Sequence, residues 1–277
     1  MELFKDKVAI VTGAASGIGR GIAVELASRG SQVIVADINA KGSGETVAAI
    51  KSRGGSARVL RLDVSKSKDV KKAIEKTAAE FGRLDYMFNN AGMSYGGGFN
   101  ELKLEHWERV MSINLWGVIY GSNFAYDIML KQGFGHIINT ASLAGITPSM
   151  GGPYATSKHA VVGLSLSLRL EAMRYGVKVS VVCPGFIKTP IFDTTVNLSK
   201  EFTNEKMQVL LSKIKMTSPE DCAKIIMNGI IKNKSIITVS PLARNLWLLY
   251  RLFPELYIKL SFNNMKKFYK KYVMDTK

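Results

Sequence analysis

The sequence predicts an α/β fold, a doubly wound parallel sheet of about seven strands, and three observations carry that expectation. Short apolar runs alternate with helical stretches from residue 8 to about residue 240. The first two runs are unbroken blocks of Val, Ile and Ala, as strands buried on both faces require, and the first of them ends in a glycine-rich turn. The 277 residues exceed the roughly 150 expected per domain, but α/β folds of this size often form one unit. No repeat, low-complexity linker or composition break interrupts residues 1–240, which are read as one domain. With 47% hydrophobic and 22% charged residues, the chain has enough apolar material for a core, which excludes general disorder.

The elements follow in order. Val8 to Val11 is an apolar run that meets Gly13, after which Ile18, Ile22, Ala23 and Leu26 recur at helical spacing up to Gly30. Val33 to Ala36 is a second buried run, and Val47 and Ile50 mark the next helix. Val59 to Leu62 reads as a third strand and Asp69 to Phe81 as a third helix, with Val70, Ala73, Ile74 and Thr77 on one face. Leu84 to Phe88, His136 to Thr140 and Val177 to Val182 are further strands. Between them lie helical regions at Leu104 to Lys131 and at Tyr154 to Tyr175, the latter closed by Gly176. After Pro184-Gly185 the periodicity weakens through Leu211. It returns at Pro219, where Ser218 is a suitable N-cap and proline suits the first helical position. Ile236 to Val239 is the last strand, and the crossovers are expected to be right-handed.

The turn from Thr12 to Gly19 lies between the first strand and the first helix. Glycines there permit a tight turn and let backbone N–H groups approach a pyrophosphate at the helix N-terminus. Asp37 ends the second strand at about the distance where an acidic residue accepts the ribose hydroxyls of a dinucleotide. A 2′-phosphate would meet like charge at Asp37, and neither Ser16 nor Ile38 offers a compensating cation, so NAD is expected over NADP. The competing reading of Asp37 is a turn cap. Tyr154 and Lys158 are four apart, on one helix face. A phenol titrates near ~10, and a neighbouring ammonium, with the positive ring of an oxidised nicotinamide, is expected to bring Tyr154 toward a working pKa.

These motifs together resemble the classical short-chain dehydrogenase/reductase (SDR) family, a Rossmann fold, over about residues 5–240. They are the Thr-Gly-x-x-x-Gly-x-Gly loop at Thr12 to Gly19, Asp63-Val64, Asn89-Asn90-Ala91-Gly92, Asn114, Ser142, Tyr154-x-x-x-Lys158 and Pro184-Gly185. The resemblance implies an NAD-dependent oxidoreductase acting on CH–OH groups, interconverting a secondary alcohol and a ketone. It makes Asn114, Ser142, Tyr154 and Lys158 catalytic. Tyr154 is the general acid/base, Ser142 orients the substrate oxygen, Lys158 holds the nicotinamide ribose, and Asn114 supports a water that links Lys158 to solvent. It assigns cofactor binding to Gly13, Ser16, Gly17, Ile18, Gly19, Asp37, Asp63, Val64, Asn90, Ala91, Gly92, Tyr154, Lys158, Pro184, Gly185, Ile187 and Thr189. Residues about 190–215 resemble the family's substrate lid, and the helices around 104–131 and 154–175 its dimer interface, which implies a homodimer or homotetramer. Met93, Ser94, Leu143, Met150, Phe186 and Phe192 are candidate pocket walls, mostly apolar, which suggests a sterol- or lipid-like alcohol. The rival readings are a nucleotide-binding redox sensor and a membrane-surface interaction protein on the same fold. A complete Asn114, Ser142, Tyr154, Lys158 set argues against the sensor.

Two cysteines, Cys183 and Cys222, and three histidines in no paired spacing give no disulfide framework, zinc motif or other metal site. His106, His136 and His159 read as structural, and Cys183 as a small core residue. A charged N-terminus and the lack of a long apolar run suggest a cytoplasmic protein, with peripheral membrane association left open. The net charge of +16 concentrates at the C-terminal end, where residues 201–277 hold 14 Lys and Arg against 6 Asp and Glu. Residues 241–277 form a basic, aromatic-rich extension broken at Pro254. It reads either as an interfacial membrane helix or as a segment packed on the body or a partner subunit. Nucleic-acid binding is not expected, because no base-reading fold accompanies the charge.

Overall fold

A computed structural model describes residues 3–199 and 203–270. In chain order, β1 (Val8–Thr12), α1 (Gly17–Ser28), β2 (Gln32–Asp37), α2 (Ala40–Lys51), β3 (Ser56–Arg61), α3 (Ser67–Phe81) and β4 (Tyr86–Asn89) form the first half. A two-residue strand β5 (Tyr95–Gly96), α4 (Leu104–Met111), α5 (Gly117–Gln132), β6 (Gly135–Thr140), α6 (Gly152–Ala172) and β7 (Val177–Cys183) follow. Then come α7 (Ile191–Thr194), β8 (Val196–Asn197), α8 (Asn204–Ser212), α9 (Pro219–Ile231), β9 (Ile236–Thr238), α10 (Pro241–Leu252) and α11 (Pro254–Tyr269).

Seven strands form one sheet in the order β3-β2-β1-β4-β6-β7-β9, every pair parallel. The chain winds outward from β1 to β3, then returns to β4 and winds the other way. The strand order therefore reverses between β1 and β4, and a crevice opens there at the carboxyl ends of the strands. Apolar side chains of α1, α2 and α9 cover one face of the sheet, and those of α3, α5 and α6 the other. β1 and β4 are buried along their length and β7 at every residue but Lys178, which is why these sequences are mostly apolar.

Several boundaries differ from the sequence expectation for physical reasons. The third strand covers Ser56–Arg61 rather than Val59 to Leu62; as an edge strand exposed along one side, it needs no continuous apolar run. The fourth begins at Tyr86, because Asp85 turns the chain into it: its carboxylate accepts Val8 N at 2.9 Å and Arg83 Nε at 2.7 Å. The helical region 104–131 is interrupted by a π turn at Ser112–Trp116. The helix carrying Tyr154 starts two residues earlier, behind Gly151 at φ +84°, and tightens into a 3-10 turn, Met173–Tyr175, before Gly176.

A buried polar network locks α5 and α6 to the sheet. Asn89 Nδ2 donates to Asn139 Oδ1 at 2.8 Å and to Ser122 Oγ at 3.2 Å, and Asn139 Nδ2 donates to Ser165 Oγ at 3.0 Å. A satisfied network of this kind fixes the axial position of α6, on which Tyr154 and Lys158 ride.

At the opposite edge of the sheet His136 is buried, and the Ser180 hydroxyl, which donates to Lys234 O at 2.6 Å, accepts from His136 Nε2 at 2.8 Å. Burial pushes the imidazole down to about 3 from its ordinary 6.5. The unfolded chain therefore takes up this proton first, and stability is full above pH 6.5 and falls as pH drops toward 3. The expected slope from this group is about 1.4 kcal/mol per pH unit inside that window. His136→Gln should flatten it in urea unfolding curves recorded across the same pH range.

Candidate active site

Gly13 at φ +66° and Gly17 at φ +52° carry the turn that closes β1 onto α1. A Cβ on Gly13 would stand 2.8 Å from Ala91 Cα, so the turn is pressed against the end of β4. Asn90 reinforces this: its side-chain amide donates to Thr12 O at 3.0 Å. The Thr12 hydroxyl donates to Phe88 O at 3.2 Å and accepts Asn90 N at 2.9 Å and Ala91 N at 3.1 Å. Asn90 thus shapes the glycine turn from the neighbouring strand. Thr12 is a hub that the sequence marks only as the start of the glycine motif, since a threonine ending a strand does not reveal which groups its hydroxyl will join.

The first turn of α1 is built for an anion. Ser16 is exposed at the N-cap and makes no side-chain capping bond, and no acidic residue stands in the first turn. The amides at the start of the helix therefore face the crevice without a side-chain acceptor, next to partly buried Ile18 and buried Gly19. Asp37, partly buried, accepts Ala15 N on one carboxylate oxygen at 3.0 Å and Asn39 N on the other at 2.9 Å. It is both a turn cap and a brace for the glycine turn, with its charge on the crevice. The cradle, the helix N-terminus and this carboxylate fit a dinucleotide.

The chain also brings Asp63, Val64, Ile187 and Thr189 to this edge. Ser65 donates to Asp63 through its hydroxyl at 2.7 Å and its amide at 3.0 Å, and these bonds hold the carboxyl below its ordinary range. Val64 packs against Gly117 at the start of α5. Thr189 lies over the glycine turn, 3.1 Å from where a Gly17 Cβ would be. Ile187 is buried and pairs with Thr217.

Ser142, Tyr154 and Lys158 come together beyond the carboxyl end of β6. Ser142 caps the 3-10 turn Leu143–Gly145, accepting Ala144 N at 3.2 Å, and its hydroxyl hydrogen-bonds the Tyr154 phenol. A Cβ on Gly145 would stand 2.7 Å from the Lys158 carbonyl carbon, so only glycine lets this loop sit so close to α6. Lys158 is 3% exposed; its Nζ donates to Thr140 O at 2.9 Å and lies 5.6 Å from the Tyr154 ring centre. Burial lowers its pKa to about 8. Tyr154 moves the other way: burial raises its pKa, and the Ser142 hydrogen bond offsets part of the rise. In the protein alone burial therefore outweighs the Ser142 hydrogen bond, and the phenol stands above its ordinary range. Cys183, behind the lysine, is buried and pushed up to about 12, an inert thiol.

Asn114 sits in the π turn, fully buried. Its Oδ1 accepts Met93 N at 2.9 Å, and its Nδ2 donates to Met93 O at 2.9 Å and Ser157 Oγ at 3.2 Å. Ser157 in turn donates to Tyr154 O at 2.7 Å. Ser157 was missed in the sequence, although its place beside Lys158, three residues after Tyr154, puts it on the same helix face. Gly92 lies between: a Cβ there would be 3.3 Å from Asn114 Oδ1 and 3.5 Å from Lys158 Nζ.

Pro184 O accepts Leu143 N at 2.7 Å, tying the end of β7 to the Ser142 loop. Of the expected pocket walls, Met93, Ser94, Leu143, Phe186 and Phe192 are partly buried at this edge, whereas Met150 is 66% exposed. The lid region holds α7, β8 and α8. The pairing of β8 with β5 stitches it to the loop after Gly92; Lys200, Glu201 and Phe202 lie outside the described residues. Two clefts at the opposite edge of the sheet, the larger of about 310 Å³ and lined by Lys7, Arg83, Asp85, His136 and Lys178 among others, contain none of these residues.

A nucleotide cradle at the switch point of a parallel sheet, opening onto a serine, a tyrosine and a buried lysine, places the chain in the class of dinucleotide-dependent oxidoreductases. The family model described as short chain dehydrogenase matches residues 7–200, and the chain belongs to that family. It is similar to the cyclohexanol dehydrogenase of Acinetobacter sp. strain SE19, 35% identical over 86% of this chain and 92% of that one. The SadH protein of Mycobacterium tuberculosis is 31% identical over 97% of this chain and 99% of its own, a match that takes in α10 and α11. Among solved structures, a short chain dehydrogenase/reductase from Burkholderia phymatum in complex with NAD superposes with a TM-score of 0.84. It is 31% identical over 92% of this chain and 96% of that one.

Proposed function

We propose that the protein interconverts a hydrophobic secondary alcohol and its ketone with NAD(H), using Tyr154 as general acid/base. The observation that carries this reading is the convergence of Ser142, Tyr154 and Lys158 on one edge of the crevice that the glycine turn opens. When bound, the nicotinamide ring supplies a hydride acceptor or donor. Gly13, Ser16, Gly17, Ile18 and Gly19 would hold the pyrophosphate on backbone amides, and Asp37 the adenine ribose. Asp63 and Val64 would frame the adenine with the Asn90-Ala91-Gly92 strand end. Ile187 and Thr189, behind Pro184-Gly185, would face the carboxamide. Lys158 would bind the nicotinamide ribose.

In the oxidation direction Ser142 orients the alcohol oxygen, and Tyr154 takes its proton as hydride leaves the carbon. In reduction Tyr154 returns the proton to the carbonyl oxygen. Lys158, pushed to about 8 by burial, exchanges protons near neutrality and so suits a relay behind the tyrosine. The Asn114 side chain is committed to Met93 and Ser157, so a water held there would rest on main-chain carbonyls that the π turn draws out of the α ladder.

Leu143, Met93, Phe186 and Phe192 favour an apolar substrate, and the cyclohexanol dehydrogenase relative makes a cyclic secondary alcohol the first to try. Exposed Trp116, Leu170 and Met173 on and beside the helices of the family dimer face support a homodimer or homotetramer. Two free, buried thiols suit a reducing cytoplasm. The cofactor assignment has a direct test. Asp37→Asn keeps a hydrogen-bond acceptor for the glycine turn but removes the charge, and should improve NADP use relative to NAD by roughly tenfold or more in kcat/KM. A wild-type enzyme that already prefers NADP would overturn the role given to Asp37.

A further inference from the structure

The two C-terminal helices hold apolar surface that the sheet body leaves in solvent. α10 meets the body through buried Ala243 and through Trp247, which packs against the apolar cluster that holds Ile146, Val161 and Cys183. α11 leans on α10 through Tyr257, whose ring lies 5.4 Å from that of Tyr250. Beyond these contacts Leu248, Leu252, Phe253, Leu256, Leu260 and Phe262 are each between 39% and 66% exposed. So many large apolar side chains in so short a span mark an interaction surface rather than scattered surface residues.

Charge decides what that surface meets. Arg244, Arg251, Lys259, Lys266, Lys267 and Lys270 are all exposed and face one acid, Glu255, so residues 241–270 carry a net +5. Two-fold pairing of this surface with a second copy would set like charge against like around the apolar patch. Anionic lipid headgroups complement it, and Trp247, Tyr250 and the apolar side chains suit the adjoining acyl boundary. Among the described residues no helix is long and apolar enough to cross a bilayer, so contact would be with the interface. Lys271, Tyr272, Asp275 and Lys277 lie outside the described residues. The helices also leave the body at an informative place: a Cβ on Gly185 would stand 3.1 Å from Ser240 Oγ and 3.5 Å from Ala243 Cβ. That position is the rim of the crevice, beside Pro184.

We propose that α10 and α11 dock this protein on the surface of an anionic lipid bilayer. The proposal goes beyond the dehydrogenase reading and does not depend on it. Flotation of the full chain with vesicles tests it, comparing phosphatidylcholine alone with phosphatidylcholine mixed with phosphatidylglycerol. Wild type should float with the mixed vesicles, and high salt should release it. Lys259→Glu/Lys266→Glu/Lys267→Glu and Leu256→Ser/Leu260→Ser should each cut the floated fraction by at least about tenfold. Because these side chains are exposed, both variants should keep the wild-type circular dichroism spectrum and urea unfolding midpoint, which shows that they fold. Wild type that stays with the unbound fraction, or a charge-reversed variant that floats as well as wild type, would overturn the proposal. So would a dimer in sedimentation velocity that Leu256→Ser/Leu260→Ser dissociates without any flotation, since the surface would then join copies of the chain.

Discussion

Tyr154→Phe is expected to lower turnover by roughly a hundredfold to ten-thousandfold, the usual worth of a positioned acid/base, while NADH binding changes by no more than about threefold. The split follows from what the substitution removes. Phenylalanine keeps the ring that Lys158 faces at 5.6 Å and loses only the hydroxyl bonded to Ser142. A pH profile sharpens the test. Burial holds the phenol above its ordinary range, so the phenolate that oxidation needs is scarce at neutral pH and grows about tenfold per pH unit. Wild-type alcohol oxidation should climb with pH through the neutral range. Residual activity in Tyr154→Phe should not follow that slope. Equal activity in the variant would remove Tyr154 from the chemistry.

Lys158→Met has the second large effect, and it separates activity from stability. Losing the ammonium should reduce turnover at least a hundredfold and weaken NADH binding as well, since the same group is assigned to the ribose. Folding should respond in the opposite sense. A lysine with a pKa of about 8 in the folded chain and 10.5 in its ordinary state opposes folding at every pH below 10.5. The penalty grows down to about pH 8 and is fully present at neutral pH. It amounts to roughly 3 kcal/mol at about 1.4 kcal/mol per unit, so a methionine of similar volume should leave the protein as stable as wild type or more so. Urea unfolding at pH 7 checks this. A variant less stable than wild type by more than about 1 kcal/mol would mean that the bond to Thr140 O outweighs the cost of burying the charge.

The parts of the fold that were legible in sequence are those whose local chemistry and tertiary role coincide. Val8 to Val11 and Val177 to Val182 are central strands and look like it, and the glycine turn stands at the first strand-to-helix junction where the backbone must take positive φ. Tyr154 and Lys158 were legible because four residues is one helical turn. The π turn at Ser112–Trp116 was not, since its residues suit an ordinary helix; it coincides with Asn114 being bonded to Met93 and Ser157, partners distant in sequence. The pairing of β5 with β8 joins two dipeptides with no periodicity to read. Edge strand β3 was displaced because one exposed side relaxes the demand for apolar residues. The burial that raises the Tyr154 pKa in the protein alone was not legible, since helical spacing brings Lys158 beside the ring and says nothing of how deeply the phenol is enclosed.

Hydride transfer between an alcohol carbon and NAD can be followed by isotope. The most direct measurement uses cyclohexanol deuterated at the carbinol carbon, with NAD in excess and the reduced cofactor examined by mass spectrometry. Each ketone formed should place one deuterium in a reduced nicotinamide, with formation slowed relative to the protonated alcohol and nearly abolished in Tyr154→Phe. Ketone formed without deuterium in the cofactor, or no reduced cofactor from this or any other secondary alcohol in a panel extending to sterols and long-chain lipids, would contradict it.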